Sequence, residues 1–140
     1  MNRIDEIVIG ILDLYNTNNP YEILEDMGIE IIELPDNSDI LLEKNSVFID
    51  IMNTVFIKSN LNESHKLFYL RHELGHILLH LDTSNMLLPN KLKYEKEADY
   101  FALRLSQLQF DETEMCEMTW EQIASCLDIP SRVLLQLVDI

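Results

Sequence analysis

The sequence predicts an α+β fold, and three observations predict it. Near the N-terminus apolar residues recur at three-and-four spacing, the pattern of an amphipathic helix. The middle of the chain holds short β-branched and aromatic runs broken by turn residues, the pattern of strands. From about Asn62 onward the spacing is helical again. A chain of 140 residues with 47% hydrophobic residues suits one globular domain. Residues 1–140 therefore read as a single domain, with a core over about 19–106 and a helical C-terminal segment over 107–140.

Each element has a local cause. Ile4, Ile7, Val8, Ile11, Leu12 and Tyr15 make one face of a helix over about 4–15. Asn19-Pro20 opens a short second helix, since Asn caps and Pro fits the first helical position. Gly28 can end it in the left-handed conformation. Ile29, Ile31, Ile32 and Leu34 read as a strand that stops at Pro35-Asp36-Asn37. Ile40 to Leu42 is a weaker strand candidate. Val47 to Ile51 and Val55 to Lys58 are two further runs, and Met52-Asn53-Thr54 between them suggests an antiparallel hairpin. Asn62 can cap a long helix reaching about His80, with Leu67, Leu70, Leu74, Ile77, Leu78 and Leu81 as its apolar stripe. Pro89-Asn90 precedes another helix to about Ser106, with Leu92, Phe101, Leu103 and Leu105 available for packing. Thr119-Trp120-Glu121-Gln122 looks like a capping box for a helix through Leu127, and Pro130-Ser131 starts the last helix.

Charge excludes several function classes. Lys and Arg total 10 against 25 Asp and Glu, a formal net charge of −15. Nucleic-acid phosphates and anionic membranes both call for clustered basic residues, which this chain lacks. No stretch approaches the ~20 apolar residues of a membrane span, and the early apolar run Ile7 to Leu12 is too short for a signal-peptide core. Cys116 and Cys126 do not make a disulfide framework and read as reduced thiols of a cytoplasmic protein.

One motif carries chemistry. His72-Glu73-Leu74-Gly75-His76 is an H-E-x-x-H sequence inside the long helix. Residues four apart lie on one helical face, about 6 Å apart along the axis. Two imidazoles so placed can close on one Zn²⁺ at roughly 2.0–2.1 Å each. Glu73 points to a neighbouring sector, where a carboxylate can take a proton from water activated by the metal.

A third ligand is needed. His80 continues the same face, but it lies about 12 Å along the axis from His72, too far for one cation to bind both on a straight helix. It reads as a packing or hydrogen-bonding residue. The better source is Glu95-Lys96-Glu97-Ala98-Asp99. Here Glu95 can present its carboxylate to the metal, while Asp99 accepts the second N–H of a ligating histidine. Ala98 and Ala102 would let the two helices approach closely. On the residues alone, Glu97 and Asp99 stay open as alternatives to Glu95. Tyr94 and Tyr100 flank this segment, and either could stabilise an oxyanion.

Arg71-His72-Glu73-Leu74-Gly75-His76-Ile77-Leu78-Leu79-His80, followed by Glu95-Lys96-Glu97-Ala98-Asp99-Tyr100-Phe101-Ala102, resembles the ImmA/IrrE family of zinc metallopeptidases. The similarity covers about residues 19–105. It implies a minimal zincin-like domain, with a small antiparallel sheet or hairpin packed on the H-E-x-x-H helix and a second, ligand-bearing helix. It implies His72, His76 and Glu95 as zinc ligands, Glu73 as general base, and Asp99 supporting a ligand. It also implies a role in mobile elements such as phages or in stress responses, where members cleave a helix-turn-helix repressor. The Leu-Met-Pro-like segment that follows the second motif in many members is absent from Leu103 to Leu108.

The C-terminal segment has helix-turn-helix proportions of its own. Its only positive charge after Asp111 is Arg132, so direct DNA binding is not expected. The sequence and the family resemblance thus predict a cytoplasmic zinc endopeptidase acting on a protein, with a DNA-binding repressor as the expected substrate. The rivals are a zinc-binding regulator that acts without cleavage and a hydrolase of non-peptide substrates. Oligomeric state is not legible.

Overall fold

The computed structural model of the chain describes residues 3–80 and 88–106. Helix α1 (Arg3–Tyr15) buries Ile4, Val8 and Ile11, the face that the spacing predicts. Helix α2 (Pro20–Asp26) starts as expected: the Asn19 side chain accepts the Tyr21 N–H at 3.0 Å, and Pro20 takes the first position. Gly28 adopts φ 79°, a conformation costly to other residues, and turns the chain into strand β1 (Glu30–Leu34). Ile23 and Leu24 of α2 are fully buried.

Strands β2 (Ser46–Ile49) and β3 (Thr54–Lys58) form the predicted antiparallel hairpin, with Val47 opposite Phe56. Strand β1 joins the other side of β3 in parallel, with Ile31 opposite Val55, so the sheet is mixed and its order is β1-β3-β2. As the central strand, β3 buries Val55, Phe56 and Ile57 in succession, without the alternation of a half-exposed strand.

Three expectations change in detail. Ile40 to Leu42 is not a strand, because Asp39–Leu41 form a 3₁₀ turn. The Ser38 hydroxyl accepts the Ile40 N–H at 3.3 Å, a local bond that competes with strand pairing. The run from Val47 ends at Ile49, since Asp50–Met52 form a second 3₁₀ turn closed by Asn53 at φ 51°. This leaves Ile51 on the surface at 91% exposure. Pro89 and Asn90 fall inside the first turn of the last described helix, where proline is tolerated, and not ahead of it. Cys116, Trp120, Cys126 and the helices expected after residue 107 lie outside the described residues.

Helices α3 (Glu63–His80) and α4 (Leu88–Leu105) make the most extensive packing in the fold. Asn62 caps α3, its side-chain oxygen accepting the His65 N–H at 2.8 Å. α3 also packs on α2, β2 and β3, so it buries residues around most of its circumference, Phe68, Leu70 and Leu74 among them. From α4, Ala98, Phe101, Ala102 and Leu105 are fully buried, whereas Leu92 is exposed. Gly75 on α3 sits directly against Phe101, and a side chain there would meet the ring. The small residues Gly75, Ala98 and Ala102 thus set the close approach of the two helices. α1 is tied to α4 at its start: Asp5 accepts from the Tyr100 hydroxyl at 2.9 Å and pairs with Arg104 at 3.3 Å. Among the described residues, no helix is long and apolar enough to cross a membrane.

Candidate metal centre

One turn of α3 separates His72 from His76, and their Nε2 atoms face each other at 3.1 Å. The close packing of α4 brings Glu95 to the same point. Its Oε2 lies 3.0 Å from His72 Nε2 and its Oε1 3.2 Å from His76 Nε2. Ligand atoms of the three residues all fall within 4.8 Å of one another, and no other such trio occurs among the described residues.

The donor set fits a small divalent cation. Tetrahedral ligands at ~2.0–2.1 Å from zinc are about 3.3 Å from each other. The two nitrogens are 3.1 Å apart, and each has one of the two Glu95 oxygens at 3.0 or 3.2 Å, near that length, so both rings and the carboxylate border one cation-sized position. Two imidazoles and a carboxylate are also the chemistry that borderline cations such as Zn²⁺ prefer.

Asp99, 1% exposed, sits one turn beyond Glu95 on α4. Its Oδ1 is 2.8 Å from His72 Nδ1. A carboxylate there accepts, so Nδ1 carries the hydrogen and Nε2 is free to offer a lone pair to a cation. Burial opposes a charge on His72. The hydrogen bonds to Asp99 and Glu95, with the charges of Glu73 and Asp99, outweigh it and push the pKa up to about 10. Burial likewise raises Glu95, but its hydrogen bonds to His72 and His76 win and hold it well below the usual carboxylate range. A proton and a cation therefore compete for the same three side chains.

Glu73 is buried beside the trio and stands outside it. Its Oε2 accepts from the Ser46 hydroxyl at 2.7 Å. That bond anchors the carboxylate to β2. Next to it, the side-chain amide of Asn45, the residue before β2, donates to the Tyr69 hydroxyl at 2.8 Å, a second link to α3.

His80 is buried and hydrogen-bonded, as the sequence suggests. Its Nε2 is 2.8 Å from Glu97 Oε1, and its Nδ1 is 3.1 Å from His76 Nδ1. Burial lowers its pKa, so the neutral ring is favoured. The Tyr94 ring covers it at 4.3 Å. Tyr100 directs its hydroxyl to Asp5 on α1.

Ser46 is the residue that sequence reasoning did not single out. No pattern marks a serine that opens a strand. Glu97 was visible as a rival ligand, and the structure instead aims it at His80.

The IrrE N-terminal-like domain, a peptidase family, matches residues 24–138. The chain belongs to that family. Its member status covers both α3 and α4, hence every residue of the trio, together with Glu73, Asp99 and His80. An uncharacterized immunity region protein 2 of Bacillus phage phi105 is 29% identical over 130 residues, covering 85% of this chain and 78% of the phage protein. No solved structure matches.

Proposed function

We propose that this IrrE-like chain is a zinc-dependent endopeptidase that hydrolyses a specific protein. Its target is a helix-turn-helix transcriptional repressor of a phage or other mobile element. The observation that carries the reading is the convergence of His72, His76 and Glu95 beside a separate buried carboxylate, Glu73. In this reading the trio holds Zn²⁺ and Asp99 orients His72. A bound zinc ion acidifies water and polarises the scissile carbonyl. Glu73, fixed by the Ser46 hydroxyl, takes the proton of the attacking water and delivers it to the leaving amine. The chain reads as one peptidase domain working in the cytoplasm.

Three further observations support the substrate class. The relative in phage phi105 is named for an immunity region. A net charge of −15 favours encounter with a basic partner, and DNA-binding proteins are basic. β2 is an edge strand among the described residues and holds Ser46 against Glu73, so an extended peptide that paired with it would lie beside the base.

The test is cleavage of repressors encoded near the gene, followed by intact mass, with Glu73→Gln as the control. Two fragments that sum to the substrate plus one water, from the wild type alone, are expected. Repressor inactivation that persists in Glu73→Gln without fragments would instead establish a regulator that works by binding.

A further inference from the structure

The histidine at position 80 is within reach of the trio without belonging to it, and its contacts are directional. We propose that His80 and Glu97 form a relay that positions His76, fixing the tautomer in which its Nε2 faces the metal. The inference rests on the reading of His76 as a zinc ligand and extends it to residues not otherwise placed at the site.

A single hydrogen can sit between His76 Nδ1 and His80 Nδ1, which are 3.1 Å apart. His80 Nε2 faces the Glu97 carboxylate at 2.8 Å, and a carboxylate accepts. A His80 ring that donates to Glu97 from Nε2 can accept at Nδ1. His76 must then donate from Nδ1, which leaves Nε2 bare and aimed at His72 Nε2 and Glu95. The opposite order would set a bare His80 Nε2 against a carboxylate and keep a hydrogen on His76 Nε2, shared with Glu95 at 3.2 Å, which a cation would have to displace. Glu97 thus sets the state of His76 through one intervening ring, as Asp99 sets that of His72 directly. The Tyr94 ring, tilted 30° with its centroid 4.3 Å away, packs over the His80 ring. Outer partners of ligating histidines typically matter about 10–100-fold in metal affinity.

The experiment measures zinc affinity of the full chain by competition with a chromophoric chelator, in wild type, His80→Phe, His80→Gln, Glu97→Gln and His76→Ala. Nitrogen-resolved NMR of the His76 ring in the zinc-loaded protein runs alongside. His80→Phe is expected to weaken zinc about 10–100-fold. His80→Gln should recover part of the loss, because its carbonyl can accept from Nδ1. Glu97→Gln, at a partly exposed position, should mix the His76 tautomers and weaken zinc by a smaller factor without unfolding. The wild-type ring should carry its hydrogen on Nδ1. Zinc affinity within twofold of wild type in both His80→Phe and Glu97→Gln, or a His76 bound through Nδ1, overturns the relay. If His80→Phe does not fold, Glu97→Gln and the NMR decide. Unchanged affinity in His76→Ala would overturn the metal site itself, an outcome separate from failure of the relay.

Discussion

Placing a methyl group on Gly75 probes the contact that brings the two halves of the site together. A Cβ at Gly75 would lie 3.0 Å from Phe101 Cδ1 and 3.2 Å from both its Cβ and Cγ. Comfortable carbon contacts are about 3.5–4.0 Å, so roughly 0.5 Å must be found. Phe101 is fully buried, and two of the three close atoms are those nearest its backbone, so rotating the ring gives little relief. α4 has to move, and Glu95 moves with it. Overpacking costs about 1–3 kcal/mol, while Gly→Ala inside a helix returns about 1 kcal/mol. Gly75→Ala is therefore expected to lose roughly 0–2 kcal/mol. Gly10, exposed on α1 with nothing within 4 Å of its virtual Cβ, supplies the control. Gly10→Ala should gain up to about 1 kcal/mol. The gap between the two, about 1–3 kcal/mol, removes the propensity contribution and isolates the contact. Thermal unfolding of the metal-free forms measures it. Zinc competition on the same samples should show about tenfold weaker binding in Gly75→Ala alone, since a site tolerates only ~0.5 Å of displacement. Equal stabilisation by both substitutions, with zinc affinity unchanged, would refute the reasoning.

Other predictions follow from single interactions. Asp99→Leu should weaken zinc about 10–100-fold by releasing the His72 ring, read by chelator competition. The raised pKa of His72, about 10 against an ordinary 6.5, makes metal-free stability pH-dependent. The contribution of its protonated ring is fully present below pH 6.5 and is lost as pH rises towards 10, so the unfolding temperature should fall across that window. For the same reason zinc binding at neutral pH should release about one proton from His72, visible by calorimetry in buffers of different ionisation enthalpy. Asn19→Ala removes the cap on α2 and should cost about 1 kcal/mol, measured by denaturant unfolding, without altering zinc affinity.

The parts of the fold legible in the sequence are those set by local physics. The Asn19-Pro20 cap, the positive φ at Gly28, the β2–β3 hairpin and the Asn62 cap on α3 each depend on a few neighbouring residues. The H-E-x-x-H spacing likewise fixes the approach of His72 and His76, because both ride on one helix. What was not legible depends on how elements pack. Glu95, Glu97 and Asp99 occupy one short stretch of α4: Glu97 differs from the other two in rotation about its axis, and Asp99 lies one turn along from Glu95. Their separate partners, the metal trio, His80 and His72, follow from the crossing of α4 on α3. Ser46 meets Glu73 because β2 lies beside α3, a long-range result with no sequence signature. The Ile40 run went to a turn because the Ser38 side chain supplied a nearer partner than any strand.

α3 and α4 converge on one candidate cation site. Metal analysis of purified wild type, His76→Ala and Glu95→Ala after exhaustive dialysis tests this most directly. One equivalent of zinc in wild type, with a sharp fall in both variants while their helical content is retained, is the expected result. A full equivalent of zinc retained in either variant would contradict it.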